Sequence, residues 1–274
     1  MKKMYIRQPA HAWTFYPAHP QILHQMLMEF SVNIEQLVKI EDVFSSLKFK
    51  RAVISPHAGY IYSWIVATAS WRLIWMNKNI SRLIIIWPAH YVWFNGWGFA
   101  QYEARQTPLG LVKVDLDLQN EIMALLGQQA LLVDQAHQPE HSVEVQIPFL
   151  QVLTNVKSFV PVLGWMDADW QLMWEVLFNI VTKYEDVGIV ISSDLSHYLP
   201  YDIAKQVDLE TINAILEGNE EFVVSERACG YLWIRAYIRM TKLLNAPRKF
   251  VLYLNSWDTA WDKTQVVWYA SIAS

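Results

Sequence analysis

The chain has one cysteine, Cys229, so no disulfide can close within it, and its thiol is free unless a metal or a second chain takes it. That usage fits a reducing compartment, and the cytoplasm is the expected location. Glycine is scarce, with 9 glycines against 14 tryptophans, a reversal of ordinary usage in which glycine is among the commonest residues. Positive charge is sparse: the longest basic cluster is Lys48, Lys50 and Arg51, and the formal net charge is −4. Nucleic acid is therefore not an expected partner, since its recognition generally needs a broad basic footprint. Apolar runs stay well short of the roughly 18 to 20 residues that a membrane span requires. The opening Met1-Lys2-Lys3-Met4-Tyr5 has the charges of a signal peptide, but Arg7, Gln8, Pro9 and His11 stand where an apolar stretch would follow. Repeats, low-complexity tracts and Gly/Ser/Pro-rich linkers are missing as well. Nothing marks a domain boundary, and a single domain over residues 1–274 is expected.

What the chain does have is apolar bulk. Of 274 residues, 53% are hydrophobic and 18% charged, enough to bury a shared core without disulfides or metal staples. Short β-branched runs at 52–55, 83–86, 158–162, 188–191 and 250–253 alternate with helical patterns at 65–76, 116–126, 143–153, 169–183, 201–216 and 231–244. The first four runs are nearly continuous in apolar character, as strands covered on both faces are. The pattern predicts an α/β fold, a three-layer α/β/α sandwich around a mostly parallel or mixed sheet. A late strand is expected at 266–272, and short strands near 99–102 and 111–114 are expected to pair antiparallel near an edge.

Three predicted strands run into polar residues at their carboxyl ends: Pro56-His57, Pro88-Ala89-His90, and Ser192-Ser193-Asp194-Leu195-Ser196-His197. In open α/β sheets these ends face the ligand crevice, so distant segments can converge there. Singly, each histidine is more often a capping or surface residue than a ligand; the joint pattern makes His57, His90 and His197 candidates. His11, His19 and His24 lack that context and are read as ordinary. Asp194, three residues before His197, suits a group that orients an imidazole, or one that satisfies backbone donors in a loop. Glu140-His141-Ser142-Val143-Glu144 opens a helical pattern without the zinc-protease spacing, and its residues serve either as pocket groups or as helix-start anions and cap. Cys229 precedes Gly230 at a predicted helix start, a place suited to a thiolate, although a small buried hydrophobe is the commoner role.

Together these segments resemble the Memo family, whose bacterial and archaeal members are also called AmmeMemoRadiSam system protein B. The matching stretches include Arg7-Gln8-Pro9-Ala10, Phe15-Tyr16-Pro17, residues 56–63, Pro88-Ala89-His90, Thr107-Pro108-Leu109-Gly110, Glu140 to Glu144, Ser192 to Tyr198, Ala228-Cys229-Gly230 and Tyr253 to Ser256. They run in family order from near residue 7 to near residue 270. The resemblance implies a fold like that of class III extradiol dioxygenases, with His57, His90 and Cys229 contacting a metal, His197 as acid/base neighbour with Asp194 beside it, and Glu140 and His141 lining the pocket. It implies copper or iron, with zinc as an alternative, and no organic cofactor. A cysteine in place of the dioxygenase carboxylate favours Cu(I) or Zn(II) over oxygen-activating Fe(II). The implied partners are a radical SAM protein and an AMMECR-type domain protein, besides a small molecule or peptide. A metal-dependent oxidoreductase and a non-catalytic ligand-binding module using the same pocket are both compatible with these residues.

The chain departs from the family pattern where Trp13, Trp64, Trp87, Trp257, Trp261 and Trp268 stand at positions that resemble family glycines. Glycine in such loops supplies positive φ or close backbone approach, which tryptophan supplies only at a cost. One base change turns GGG into TGG, so the repetition suggests a systematic origin: a recording error, deliberate substitution or unusual decoding. Trp64 and Trp87, next to the strand ends that bear His57 and His90, are expected to fill or narrow the pocket.

Overall fold

The computed structural model describes residues 4–165, 167–260 and 264–274. Its first half runs β1 (Ile6–Arg7), α1 (Pro20–Leu37), α2 (Ile40–Ser46), β2 (Ala52–Ser55), α3 (Tyr60–Met76), β3 (Arg82–Pro88), β4 (Trp97–Phe99), β5 (Ala104–Thr107), β6 (Gly110–Val114), α4 (Leu116–Leu126) and β7 (Ala130–Leu132). The second half runs α5 (Asp134–His137), α6 (Ile147–Leu153), β8 (Ser158–Gly164), α7 (Trp170–Lys183), β9 (Val187–Ser192), β10 (His197–Leu199), α8 (Tyr201–Glu217), α9 (Tyr231–Leu243), β11 (Lys249–Asn255), α10 (Ser256–Ala260) and β12 (Val266–Ala273).

One mixed sheet of twelve strands organises the molecule, in the order β1-β5-β6-β8-β3-β9-β2-β12-β10, with β11 on β12, and β4 bridging β7 and β8. Its centre is parallel: β6, β8, β3, β9 and β2 all run the same way. β12 returns antiparallel along β2. Alternation along each strand sorts its side chains to two faces. Ile84 and Ile86 of β3, Val160 and Val162 of β8, and Ile189 and Ile191 of β9 pack with α4, α7, α8 and α9. Leu83 and Ile85, Phe159 and Leu163, and Val190 face the other way, against α1, α3 and α6. The result is the expected three-layer α/β/α arrangement. Truncating one of these fully buried isoleucines to alanine would cost about 2–5 kcal/mol.

Several expectations need adjusting. The 99–102 and 111–114 segments do not pair with each other. The tight turn ahead of Gly110, which sits at φ +115°, lets β6 fold back on its sequence neighbour β5, while β4 joins β7 in parallel and β8 antiparallel. The helix expected from Val143 begins at Ile147 and is preceded by a 3-10 turn, Glu144–Gln146. Two helices unread in the sequence, α1 and α2, cover the face that also holds α3. No helix among the described residues is long and apolar enough to cross a membrane.

The tryptophans are placed unevenly. Trp64 stacks on Phe30 with ring centroids 4.0 Å apart, and Trp87 is buried in the core beside His137; neither lines the cavity described below. The expectation that they narrow the pocket fails because α3 turns Trp64 toward α1, and β3 turns Trp87 to the sheet face away from the strand end. Trp268 stacks on Tyr253 at 4.2 Å, Trp257 lies in α10 near Tyr201, and Trp13 is exposed at φ +81°. Trp261 lies outside the described residues.

Candidate metal centre

β3, β9 and β2 are consecutive neighbours in the sheet, so the loops leaving their carboxyl ends emerge side by side. His57 follows β2, His90 follows β3, and Ser193-Asp194 follows β9. Cys229 arrives from the opposite direction, just ahead of α9. The close approach depends on Gly230: a Cβ there would sit 2.7 Å from the Ser193 Cβ and Oγ. The hydrogen bond from Gly230 N to Ser193 Oγ, 2.9 Å, closes this contact.

Potential ligand atoms of His57, His90 and Cys229 lie within 4.8 Å of one another. Their orientation is fixed from behind. Ser192 Oγ donates its proton to the Ser142 carbonyl at 2.8 Å, so toward His57 Nδ1, 3.0 Å away, it acts as an acceptor. That places a proton on His57 Nδ1 and turns Nε2 toward Cys229 Sγ, 3.5 Å away. His90 repeats the logic: Nδ1 meets Glu140 Oε1 at 2.8 Å, turning the opposite nitrogen inward. A carboxylate or hydroxyl behind each imidazole is the usual support of a metal-bound histidine, and the residues present fit a metal ion.

Glu140 is saturated. Beyond His90 Nδ1 it accepts from His90 N (2.8 Å), His141 N (3.1 Å), Ser142 N (3.2 Å) and Ser142 Oγ (2.6 Å). Burial opposes its ionisation, yet the hydrogen bond and charge of His90 hold the carboxyl far below its ordinary range. Ser142 thus serves Glu140 and does not cap a helix. A second ligand set, His90 with Glu140 and His141, meets the same distance criterion, but so many donors on Glu140 make it a support of His90.

Burial disfavours the Cys229 thiolate, but the charge and hydrogen bond of His57 and the hydrogen bond of His90 bring the thiol down to about 6. Asp194 N also donates to the sulfur, at 3.3 Å; the stabilising N–H comes from the β9 loop and not from α9. Burial works against charge on His90, but its bonds to Cys229 and Glu140 prevail and push the ring up to about 10. His141 is held well below the ordinary imidazole value, first by burial and then by the charge of His57, so it is neutral at pH 7.

Asp194 turns to His57: Oδ1 accepts from His57 N at 2.8 Å, and Oδ2 lies 3.9 Å from Nε2. Burial raises its carboxyl. His197 stands apart from the ligand cluster, on β10. With Asp194 and His141 it lines a cavity of about 540 Å³ whose walls include Phe15, Tyr62, Tyr198 and Tyr269. The sequence-derived candidates therefore divide into a ligand cluster of three, a support in Glu140, and a cavity group of His141, Asp194 and His197.

Sequence reasoning missed three contributors. His11, read as ordinary, packs against His141 with ring centroids 5.6 Å apart and contacts the Pro139 carbonyl through Nε2 at 2.6 Å. Gln146 binds Pro56 O, Ser192 Oγ, Ser55 Oγ and Trp71 Nε1, joining the ends of β2 and β9 to α3. Glu144 accepts from Arg7, Tyr16 Oη (2.6 Å), Ala10 N and His11 N (2.8 Å), and so straps the N-terminal segment over the site. The Arg7-Gln8-Pro9-Ala10, Phe15-Tyr16-Pro17 and Glu140 to Glu144 stretches stood in the sequence as motifs, but nothing in them told that they meet. His19 and His24 are exposed, in keeping with the ordinary reading.

The family model for a Memo-like protein matches residues 7–273. A MEMO1 family protein of Methanothermobacter thermautotrophicus is 32% identical over 98% of this chain and 100% of its own length. MEMO1 family proteins of Archaeoglobus fulgidus and Aquifex aeolicus are each 32% identical over 97% of this chain and 98% of their own.

Proposed function

The chain belongs to the Memo-like family, and from that premise we propose a metal-dependent oxidoreductase whose ion is held by His57, His90 and Cys229. The observation that carries the reading is the pair of hydrogen bonds behind the histidines, which turn the inner nitrogens of two imidazoles toward one thiolate before any ion arrives, so that an ion need only displace a proton to be held there. Two imidazoles and a thiolate suit copper or zinc more than oxygen-activating ferrous iron, although iron remains a candidate. When bound, copper or iron would supply one-electron chemistry beside the cavity, and zinc a Lewis acid. The chain's own residues then divide the work. Glu140 and Ser192 hold the imidazoles in one tautomer. Asp194 fixes the His57 backbone, and His197, at the cavity wall, is placed to take up or return a proton from a molecule bound there. His141, held neutral, contributes an uncharged imidazole to the same wall.

Metal analysis of protein purified without oxygen tests the reading. One ion per chain is expected, with loss in His57→Ala and Cys229→Ser; protein that stays metal-free after loading with copper, iron and zinc in turn would overturn it.

A non-catalytic module is the second reading, favoured by the exposed ring of Tyr198 at the cavity mouth, which offers contact area to a peptide. Binding that ignores chelators and survives Cys229→Ser would select it. By extension from the family, we assign the chain to an AmmeMemoRadiSam-type system in the cytoplasm, with a radical SAM protein and an AMMECR-type domain protein as partners. Co-purification from the native cell is the check, and consistent absence of both would remove the assignment.

A further inference from the structure

The cavity beside the ligand cluster has a definite chemical character. Four aromatic rings wall it, from Phe15, Tyr62, Tyr198 and Tyr269, and Asp194 supplies a carboxylate. Among the described residues no lysine or arginine lines it. Aromatic faces carry negative electrostatic potential and attract cations. The Tyr269 hydroxyl is pushed up by burial, then by the charge of Asp194 and by the phenols of Tyr62 and Tyr198, so these polar ends lie within electrostatic reach of one another. An anionic ligand would meet aromatic rings and a carboxylate there, and among the described residues the basic groups on the wall are the imidazoles of His141 and His197, with no guanidinium or ammonium.

We propose that this cavity takes an organic cation, an amine or quaternary ammonium group on a flat ring or short apolar chain, its charge lying between the tyrosine rings and Asp194. At about 540 Å³ the space matches a small-molecule site, and a ring with a cationic head fills it without needing polar partners on every side. The inference rests on the metal-enzyme reading only in treating this cavity as the substrate site. A divalent ion beside it would not reverse the sign of the field, because the Cys229 thiolate and the Glu140 and Asp194 carboxylates outnumber its charge.

The test is calorimetric titration of benzyltrimethylammonium, benzyl alcohol and benzoate into the full chain, metal-free and zinc-loaded. The quaternary nitrogen has no lone pair to offer the metal, so its binding reports the cavity alone. The ammonium is expected to bind about tenfold more tightly than the alcohol in both forms, as one well-placed cation–π contact with charge pairing provides, and benzoate most weakly. Tyr198→Ala removes an exposed ring and is expected to weaken ammonium binding about fivefold with zinc stoichiometry unchanged; Asp194→Asn is expected to erase the preference over the alcohol. Equal affinities, tighter benzoate, no ammonium binding, or indifference to Tyr198→Ala would each overturn the proposal. Ammonium preference in protein that takes up none of copper, iron and zinc would sink the metal reading and leave this one standing, whereas zinc uptake without the preference would do the reverse.

Discussion

His90 gives its Nδ1 to Glu140, 2.8 Å away, and thereby presents its other nitrogen to Cys229. Glu140→Gln keeps the shape but weakens that support, because a neutral amide is a poorer acceptor and its NH₂ end opposes several of the donors now facing Glu140. Cobalt titration followed through the thiolate-to-metal absorption band should show affinity lowered by about 10- to 100-fold with the ligand set retained. Unchanged affinity would mean that Glu140 plays no part in holding His90.

In the metal-free protein the Cys229 thiol is brought down to about 6, against an unfolded value near 8.5. A depressed thiol stabilises the fold above its unfolded value, and this contribution is lost as pH falls from about 8.5 through about 6. Iodoacetamide labelling of the native chain, read by intact mass, should rise with a midpoint near 6, and a midpoint near the free-thiol value would exclude the thiolate–imidazole pair. Metal loading should abolish the labelling.

Asp208 on α8 is buried and accepts from Ser196 N at 3.0 Å and Ser196 Oγ at 2.8 Å, holding the loop that leads into His197. Burial raises its carboxyl to about 6 against these bonds. A carboxyl raised in the fold contributes most below its unfolded value, near 4, and this contribution fades as pH climbs through about 6. Asp208→Asn should remove that slope and leave the variant more stable than the parent at pH 7, by on the order of 2 kcal/mol. Urea midpoints at pH 4.5, 6 and 7.5 are the check; parallel pH profiles for the two proteins would count against it.

Among the described residues Glu144 is the one carboxylate paired with buried Arg7, whose strand partner Arg105 is buried as well. Glu144→Ala leaves a cation stranded in the interior and should cost about 3–5 kcal/mol, measured from the denaturation midpoint. Because the same carboxylate holds Tyr16 and the backbone at 10 and 11, hydrogen exchange should also quicken across residues 7–16. A loss below about 1 kcal/mol, the size of a surface pair, would contradict the strap.

Trp13 occupies a left-handed conformation at φ +81° with its ring in solvent, a backbone state that costs a non-glycine residue roughly 1–2 kcal/mol. Trp13→Gly should therefore raise the melting temperature. Trp87 and Trp268 are buried with their indole N–H groups unpartnered, contrary to the habit of buried tryptophan. Intact mass of the native protein decides between tryptophan and glycine at these places; agreement with glycine would establish a recording error.

The central strands were legible because parallel strands covered on both faces read as unbroken apolar runs, and 52–55 stands in the fold with the same bounds. Periodicity set His57 and His90 after strands and Cys229 before a helix, but their grouping as candidate ligands came from the family resemblance, and the fold brings the three together. Helix α1 escaped notice. Its buried stripe of Leu23, Leu27 and Ile34 is diluted by exposed Ile22, Met28, Val32 and Leu37, which blurs the helical period. Glu144, Gln146 and His11 had no local signature, because what they do is defined by partners 46 to 137 residues away. The hairpin of β5 and β6 was misassigned for a related reason: turn geometry at Gly110, not strand propensity, chose the partner.

Ile86 pairs with Ile191 and Ser55 with Ser192 across three adjoining parallel strands, and such strands run about 4.8 Å apart. The backbone ladder therefore sets where the two loops leave the sheet, about two strand spacings apart, and the inward-turned rings of His57 and His90 close to a centroid distance of 5.2 Å with no ion to draw them together. Uptake should accordingly proceed at a pace set by passage through the mouth of the crevice, with no folding step to wait for.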